Sequence, residues 1–132
     1  MSARPAARTP GATRAGPNEY VFDLGTVDKI MGGPTYSTAH GPCVEGERII
    51  VGLMHMKAGT GVEPHSHPNE QWIYILEGTF RAKVGGKSIE GRPGSLIYIP
   101  ADTVHSGKAT ADGDVVFFTC KDGSHGLQGI RA

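Results

Sequence analysis

The sequence predicts an all-β fold, and three observations support this prediction. From Glu19 onward, short runs rich in Val, Ile, Tyr and Phe alternate with turn residues. The 20 glycines and 9 prolines among the 132 residues fall mainly between these runs, as the corners of a compact β fold do. Only residues 27–33 (VDKIMGG) show a weak helical period. A chain of this length forms one domain.

The predicted strands follow from composition and from the turn residues that bound them. In chain order they are ERIIVGLMHMKAG (47–59), QWIYILEG (71–78), TFRAKVGG (79–86), KSIEG (87–91), SLIYIP (95–100) and DVVFFTC (114–120). Gly85-Gly86 makes a two-residue hairpin turn, which needs positive φ at both positions. Arg92-Pro93-Gly94 makes another turn, because proline fixes one φ and glycine is free to adopt the next.

The strands WIYIL (72–76) and LIYI (96–99) carry apolar residues on both faces. One face makes the core of a two-layer fold, and the other must then meet a second surface. We therefore expect a homodimer.

The first 18 residues differ from the rest of the chain. They hold Arg4, Arg8 and Arg14 and no acid, whereas the whole chain has 13 basic and 13 acidic residues. Their prolines break any amphipathic helix, so we predict a disordered tail over 1–18 and a folded domain over 19–132. The folded part is mildly acidic, which argues against nucleic acid or a membrane surface as the main partner.

Compartment is inferred from what the chain lacks. No apolar run approaches the roughly 18 residues of a membrane span, and no secretory signal is recognisable. Cys43 and Cys120 make no disulfide framework and are expected to be free thiols. We expect a cytoplasmic protein.

A pair of histidines and a glutamine form the candidate chemical site. Side chains alternate along a strand, so His65 and His67 share one face, about 7 Å apart, and can converge on one ion. Gln71 opens the next strand, where the chain doubles back, and His105 arrives after the strand at 95–100. Taken alone, a His-x-His pair is a weak signal, because such pairs are commonly surface or core histidines.

The remaining histidines have simpler interpretations. His40 and His125 lie in glycine-flanked stretches and are expected to be solvated. His55 lies within a strand, where a core or interface histidine and a pocket-lining one both remain possible.

The first part of this cluster resembles the first motif of the cupin superfamily: Gly, five residues, His-x-His, three or four residues, Glu, six residues, Gly. This chain has Gly59, His65, His67, Gln71 and Gly78 at that spacing, and only the glutamate differs.

A second motif of the same superfamily follows in the expected order: Gly, five residues, Pro-x-Gly, two residues, His, three residues, Asn. Here Gly94, Pro100 and His105 match, whereas Asp102 replaces the glycine and Ala109 replaces the asparagine. The resemblance spans about residues 47–119.

The resemblance implies a jelly-roll β-barrel and a bound metal. It places His65, His67 and His105 at the three imidazole ligand positions and Gln71 where the family's glutamate binds. It implies one divalent ion per chain, with Fe(II) favoured and Zn, Ni or Mn as alternatives.

The amide of Gln71 brings no negative charge, so the ion would keep its full positive charge and favour an anionic, bidentate substrate. Gln71 can ligate through its oxygen, donate a hydrogen bond to a bound water or substrate, or fill space; a decayed site that binds no metal is a further alternative. If the turn shifts the register, Glu70 can supply a carboxylate ligand in place of Gln71.

Glu63 and Tyr98 are the candidate catalytic residues. Glu63 shares the parity of His65, so it can point inward as a general base or a partner to a ligand; a solvated loop acid is the alternative. Tyr98 can offer its phenol to the substrate or pack in the core.

The resemblance to three-histidine cupins implies a non-haem Fe(II) dioxygenase that acts on a small oxygen-chelating molecule, a diketone or an organic acid. One alternative is a non-redox metal-dependent isomerase, lyase or cyclase. Another is a cupin that binds a small ligand without turnover.

Overall fold

The computed structural model describes residues 6–132, which form strands, turns and loops and contain no helix. The strands are β1 (Thr13–Arg14), β2 (Lys29–Met31), β3 (His40–Glu45), β4 (Ile49–Met56), β5 (Gly61–Ser66), β6 (Gln71–Glu77), β7 (Phe80–Val84), β8 (Lys87–Gly91), β9 (Leu96–Ile99), β10 (His105–Ala109), β11 (Val115–Asp122) and β12 (Ile130–Arg131). No helix among the described residues is long and apolar enough to cross a membrane.

The strands form two sheets. The first has the order β1-β3-β4-β11-β6-β9, with β2 also paired to β3, and the second has the order β12-β5-β10-β7-β8. Apolar side chains from both sheets share one core, so the sheets face each other as a jelly roll. They are not hydrogen-bonded into one closed barrel. The predicted all-β jelly roll is confirmed.

Each predicted strand is present, and its ends lie within three residues of the expected bounds. Gly85 and Gly86 both have positive φ, at 56° and 83°, as their hairpin requires. The weak helical period at 27–33 was misleading. This stretch contains β2, which pairs antiparallel with β3, so a ladder formed with a distant strand outweighs the local pattern.

The core follows from strand alternation. In β6, Ile73 and Ile75 are buried, whereas Trp72 and Tyr74 are each 42% exposed on the opposite face. Each fully buried aliphatic side chain contributes about 2 kcal/mol through the hydrophobic effect. The outer face of the first sheet therefore presents an apolar patch, made of Trp72, Tyr74, Leu76, Leu96, Tyr98 and Phe118.

Residues 8–14 dock on the folded domain, so the prediction of a disordered tail over 1–18 is wrong for them; residues 1–5 lie outside the described part. β1 pairs in parallel with β3. The Glu45 carboxylate, 2% exposed, accepts hydrogen bonds from the Arg8 backbone N–H (2.9 Å) and the Arg14 guanidinium (3.3 Å). Thr9 is 1% exposed. The buried carboxylate of Glu45 in β3 thus binds Arg8 and Arg14, which the composition of the segment had placed in a disordered tail.

The C-terminal segment, residues 123–132, closes one end of the jelly roll. Asn69 donates from its Nδ2 to the carbonyl oxygens of Asp122 and His125, both at 2.8 Å. The Leu127 N–H donates to Thr9 Oγ1, and the Leu127 side chain is 3% exposed. β12 then pairs with β5. These contacts place the segment beside the histidine cluster, because Arg131 of β12 pairs with His65 of β5.

Candidate metal centre

The three histidines predicted as ligands meet at one end of the second sheet. His65 lies in β5 directly opposite His105, the first residue of β10, and their ring centroids are 4.0 Å apart. His67 follows the end of β5, with its ring centroid 4.8 Å from that of His105. One ring nitrogen from each histidine lies within 4.8 Å of the other two, and all three residues are buried. The structure therefore brings together the predicted imidazole cluster.

Backbone carbonyl groups orient all three rings in the same way. Nδ1 of His65 lies 2.9 Å from the Glu63 oxygen, that of His67 2.9 Å from the Asn69 oxygen, and that of His105 2.8 Å from the Thr103 oxygen. A carbonyl oxygen only accepts, so Nδ1 carries the proton in each ring. The Nε2 lone pairs are then free to bind an ion, which is how metal-binding histidines are commonly held.

Burial keeps these imidazoles neutral. Burial, followed by the nearby charge of Lys121, lowers the pKa of His65 and of His67 to about 4. Burial, followed by the neighbouring His65, lowers the pKa of His105 to about 3. Neutral rings are the form that binds a metal.

Gln71 points its oxygen at the cluster. Its Oε1 lies 3.0 Å from His67 Nε2, and its Nε2 donates to Thr119 Oγ1 at 2.8 Å. The Thr119 hydroxyl donates its own proton to the Trp72 carbonyl at 3.1 Å, so it must accept from Gln71. Thr119 therefore fixes the amide with its oxygen toward the histidines.

This donor set fits a divalent cation. Nε2 of His67 and Oε1 of Gln71 are both acceptors once Nδ1 is protonated, and their approach to 3.0 Å is unfavourable unless a positive charge lies beside them. Imidazole nitrogen and amide oxygen are suitable ligands for Fe, Zn, Ni and Mn. Of the three roles predicted for Gln71, the orientation favours ligation through oxygen over hydrogen-bond donation.

Glu63 does not reach the site with its carboxylate. Its side chain is 58% exposed and forms an ion pair with Arg131. The pairing of β5 with β10 explains this: His105 pairs with His65, but Gly107 pairs with Val62, so β5 has one extra residue and its alternation shifts. The prediction of an inward carboxylate is wrong, although the backbone oxygen of Glu63 does orient His65.

Tyr98 also lies outside the site. It is 42% exposed on the outer face of β9, with its ring centroid 4.6 Å from that of Trp72. Ile97 and Ile99 take the inward positions, so alternation turns the phenol away. A hydrogen bond to Glu70 raises the pKa of Tyr98.

The other histidines stay away from the cluster. His40 lies in β3 and not in a solvated loop, and it stacks on His55 with centroids 5.5 Å apart. His55 Nε2 lies 2.7 Å from the Asp114 carboxylate, and His125 is exposed. Asp102 acts as a turn residue, with φ at 58° and its N–H donating to the His67 carbonyl.

A cavity of about 70 Å³ opens beside the cluster, between the two sheets. His65, Gln71 and His105 line it together with apolar residues such as Phe117 and Leu127. Polar residues that the sequence did not single out also line it, among them Tyr36, Thr119 and Lys121. The alternation of β11 could have indicated the last two, whereas Tyr36 comes from an irregular loop that carries no comparable pattern.

Comparison with known proteins agrees with this fold and cluster. The family model described as the cupin domain matches residues 52–120, more than half of the chain. The chain belongs to the cupin family.

Three relatives illustrate the range of proteins that share this domain. The chain is 28% identical over 89 residues to a quercetin 2,3-dioxygenase of Bacillus subtilis, a match that covers 66% of this chain and 26% of that protein. It is similar to the polyketide cyclase RemF of Streptomyces resistomycificus, with 25% identity, a TM-score of 0.52, and 57% and 54% of the two chains covered. A cupin-2 domain from Rhodospirillum rubrum matches 84% of this chain and 79% of its own, with a TM-score of 0.67 and 19% identity.

Proposed function

We propose that this chain is a metal-dependent enzyme that uses Fe(II) to add dioxygen to a small molecule with two chelating oxygens, a diketone or an organic acid. The observation that carries the proposal is the convergence of three neutral imidazole nitrogens and one amide oxygen in a buried site. The similarity to a quercetin 2,3-dioxygenase supports the redox class.

The ligand set favours a substrate that binds as an anion. His65, His67, His105 and Gln71 are all neutral donors, so a divalent ion held by them keeps its whole charge. A bound Fe(II) ion would supply a Lewis acid for the substrate oxygens and a redox-active centre through which electrons pass from the substrate to dioxygen.

Cavity size supports a small substrate. A volume of about 70 Å³ accommodates only a handful of non-hydrogen atoms. A short diketone or a small carboxylic acid fits, whereas a polycyclic molecule needs the C-terminal segment to move. Leu127 and Phe117 would keep bulk water from the substrate, and this exclusion strengthens every charge interaction in the cavity.

Tyr36, and not Tyr98, is the tyrosine that can offer its phenol to a substrate in this cavity. Its ring centroid lies 4.7 Å from that of His65, and its hydroxyl accepts a hydrogen bond from the Gly129 N–H at 2.6 Å. The hydroxyl proton stays available for a substrate oxygen. Burial raises the pKa of Tyr36, so the phenol remains a donor at neutral pH.

Oxygen uptake tests this proposal. The full chain, reconstituted with Fe(II), is mixed with pentane-2,4-dione or with a panel of small 2-oxo and 2-hydroxy acids in an oxygen electrode. We expect uptake that depends on the substrate and is lost in His105→Ala. If no member of the panel gives uptake above that of Fe(II) alone, the dioxygenase proposal is wrong.

A non-redox enzyme is the second candidate, favoured by the similarity to a polyketide cyclase. Zn, Ni or Mn would polarise a substrate carbonyl, and Tyr36 would replace Glu63 as the group that carries a proton. Substrate loss without oxygen consumption identifies this class.

We also propose that the chain is a homodimer in the cytoplasm. The apolar patch on β6, β9 and β11 supports dimerisation, because a contiguous exposed apolar surface commonly marks an interface. β9 is also an edge strand with an unpaired side. Cys43 and Cys120 are both free, which supports a reducing compartment.

A further inference from the structure

Lys121 is a buried lysine in the wall of the cavity. It is 5% exposed, and it faces inward because β11 alternates Phe117, Thr119 and Lys121 toward the core. It pairs in register with Gln71 of β6. The same cavity is lined by Lys121, Gln71 and two of the clustered histidines. The lysine is therefore part of the enclosed space in which a substrate would bind.

Lys121 has no anionic partner in the described part of the chain. None of the ion pairs found there includes it. No aspartate or glutamate lines the cavity. Burial raises the pKa of the neighbouring Cys43 thiol to about 11, so this group stays neutral. Burial lowers the pKa of Lys121 to about 7, because a buried ammonium without a counter-ion is unfavourable, and an anion that enters the cavity favours the protonated form.

A purely structural role leaves most of the hydrogen-bond donors of Lys121 unused. The Lys121 ammonium donates one hydrogen bond, to the carbonyl oxygen of Leu127 in the C-terminal segment. An ammonium has three N–H groups, so two more can be donated to a ligand. Holding the Leu127 carbonyl needs only one neutral donor, such as an amide.

We propose that Lys121 is a substrate-binding residue that makes the cavity selective for small ligands with an anionic oxygen, a carboxylate or an enolate, over neutral ligands of the same shape. This inference rests on the proposed function, because the second oxygen of the ligand would bind the metal. The metal ion and the Lys121 ammonium would face one cavity that no acid lines, so a chelating anion would neutralise the positive charge of both.

Binding of malonate, compared with the neutral isostere malonamide, tests the proposal. The full chain is loaded with Zn(II), which excludes redox turnover, and each probe is titrated by isothermal calorimetry. The variants are Lys121→Met, which removes the charge, and Lys121→Gln, which keeps an N–H for Leu127 if the methionine variant does not fold. Lys87→Met, at an exposed hairpin position, is the matched control.

We expect malonate affinity to fall at least tenfold in both Lys121 variants and to be unchanged in Lys87→Met, with zinc content equal in all. Malonamide affinity should not depend on Lys121. Malonate binding that is equal in wild type and Lys121→Gln, or absent from the zinc-loaded wild type, overturns the proposal.

A chain that holds no zinc contradicts the proposed function and not this inference. In that case the same titration of the metal-free protein decides the role of Lys121: loss of malonate binding in the variants supports it, and unchanged or absent binding overturns it.

Discussion

His67 Nε2 and Gln71 Oε1 lie 3.0 Å apart in a buried site, and His67 Nδ1 faces a backbone carbonyl oxygen, which assigns the ring proton to Nδ1. His67 uses its proton toward the Asn69 carbonyl, and Gln71 has its amide hydrogens on the side of Thr119. The two lone pairs then face each other, and a cation bound to both atoms from one side would relieve their repulsion. This pair is the strongest indication in the molecule that the cluster binds a metal, and it gives glutamine a role in a position where related proteins have glutamate.

Replacement of Gln71 by glutamate should strengthen metal binding. A carboxylate adds a full negative charge to a site of neutral donors, and we expect affinity for Zn(II) to rise by about tenfold, or about 1.4 kcal/mol. Gln71→Leu should weaken it. Competition with a chromogenic chelator measures both. Equal affinity in all three proteins would mean that residue 71 does not ligate.

Thr119 should affect metal binding through Gln71. Thr119→Val removes the acceptor that orients the amide, so we expect affinity to fall by about tenfold to a hundredfold, the usual cost of losing a partner to a ligand. Thr26→Val, which removes an exposed hydroxyl with one local hydrogen bond, is the control. A Thr119 variant with wild-type affinity contradicts this interpretation.

The metal-free protein should lose stability as the solution is acidified from about pH 6.5 to about pH 4. Burial lowers the pKa of His65 and His67 to about 4 from the usual 6.5, so in this window the unfolded chain binds more protons than the folded one. Each such histidine costs up to about 1.4 kcal/mol per pH unit. Urea unfolding at several pH values measures the slope. The slope should fall by about a third in His65→Ala, because His67 and His105 still titrate there, and a flat profile in the wild type would be the contrary result.

The buried Glu45 carboxylate should stabilise the docked N-terminal residues. Glu45→Gln removes the charge that pairs with Arg14, and we expect a loss of about 3 kcal/mol in the free energy of unfolding. Limited trypsin digestion should then cut at Arg8 and Arg14 sooner. The exposed Glu47→Gln is the control, and equal digestion of the two variants would show that Glu45 does not hold this stretch.

The apolar patch can be tested by a single charge. Leu96 is 61% exposed on the edge strand β9, so Leu96→Asp should turn a dimer into a monomer in light scattering at micromolar concentration. Ile49→Asp, at a residue 52% exposed elsewhere on the same sheet, should remain dimeric. A monomeric wild type would contradict the dimer.

The sequence predicted six of the twelve strands in the described part of the chain, and the histidine cluster, because these depend on local spacing. Alternating residues and turn residues define β6 to β9, and the motif spacing identifies His65, His67 and His105. Glu63 was misplaced because the bulge in β5 exists only in its pairing with β10. Contacts between distant parts of the chain were also missed: Glu45 lies more than 30 residues from Arg8, and Lys121 faces the site only because β11 lies between β4 and β6.

Elemental analysis of the purified protein beside His105→Ala tests the central claim most directly. We predict about one equivalent of Fe, Zn, Ni or Mn per wild-type chain, and a loss of this metal in the variant while its circular dichroism spectrum stays the same. A wild-type protein that holds no metal, even after anaerobic reconstitution with Fe(II), would contradict the account.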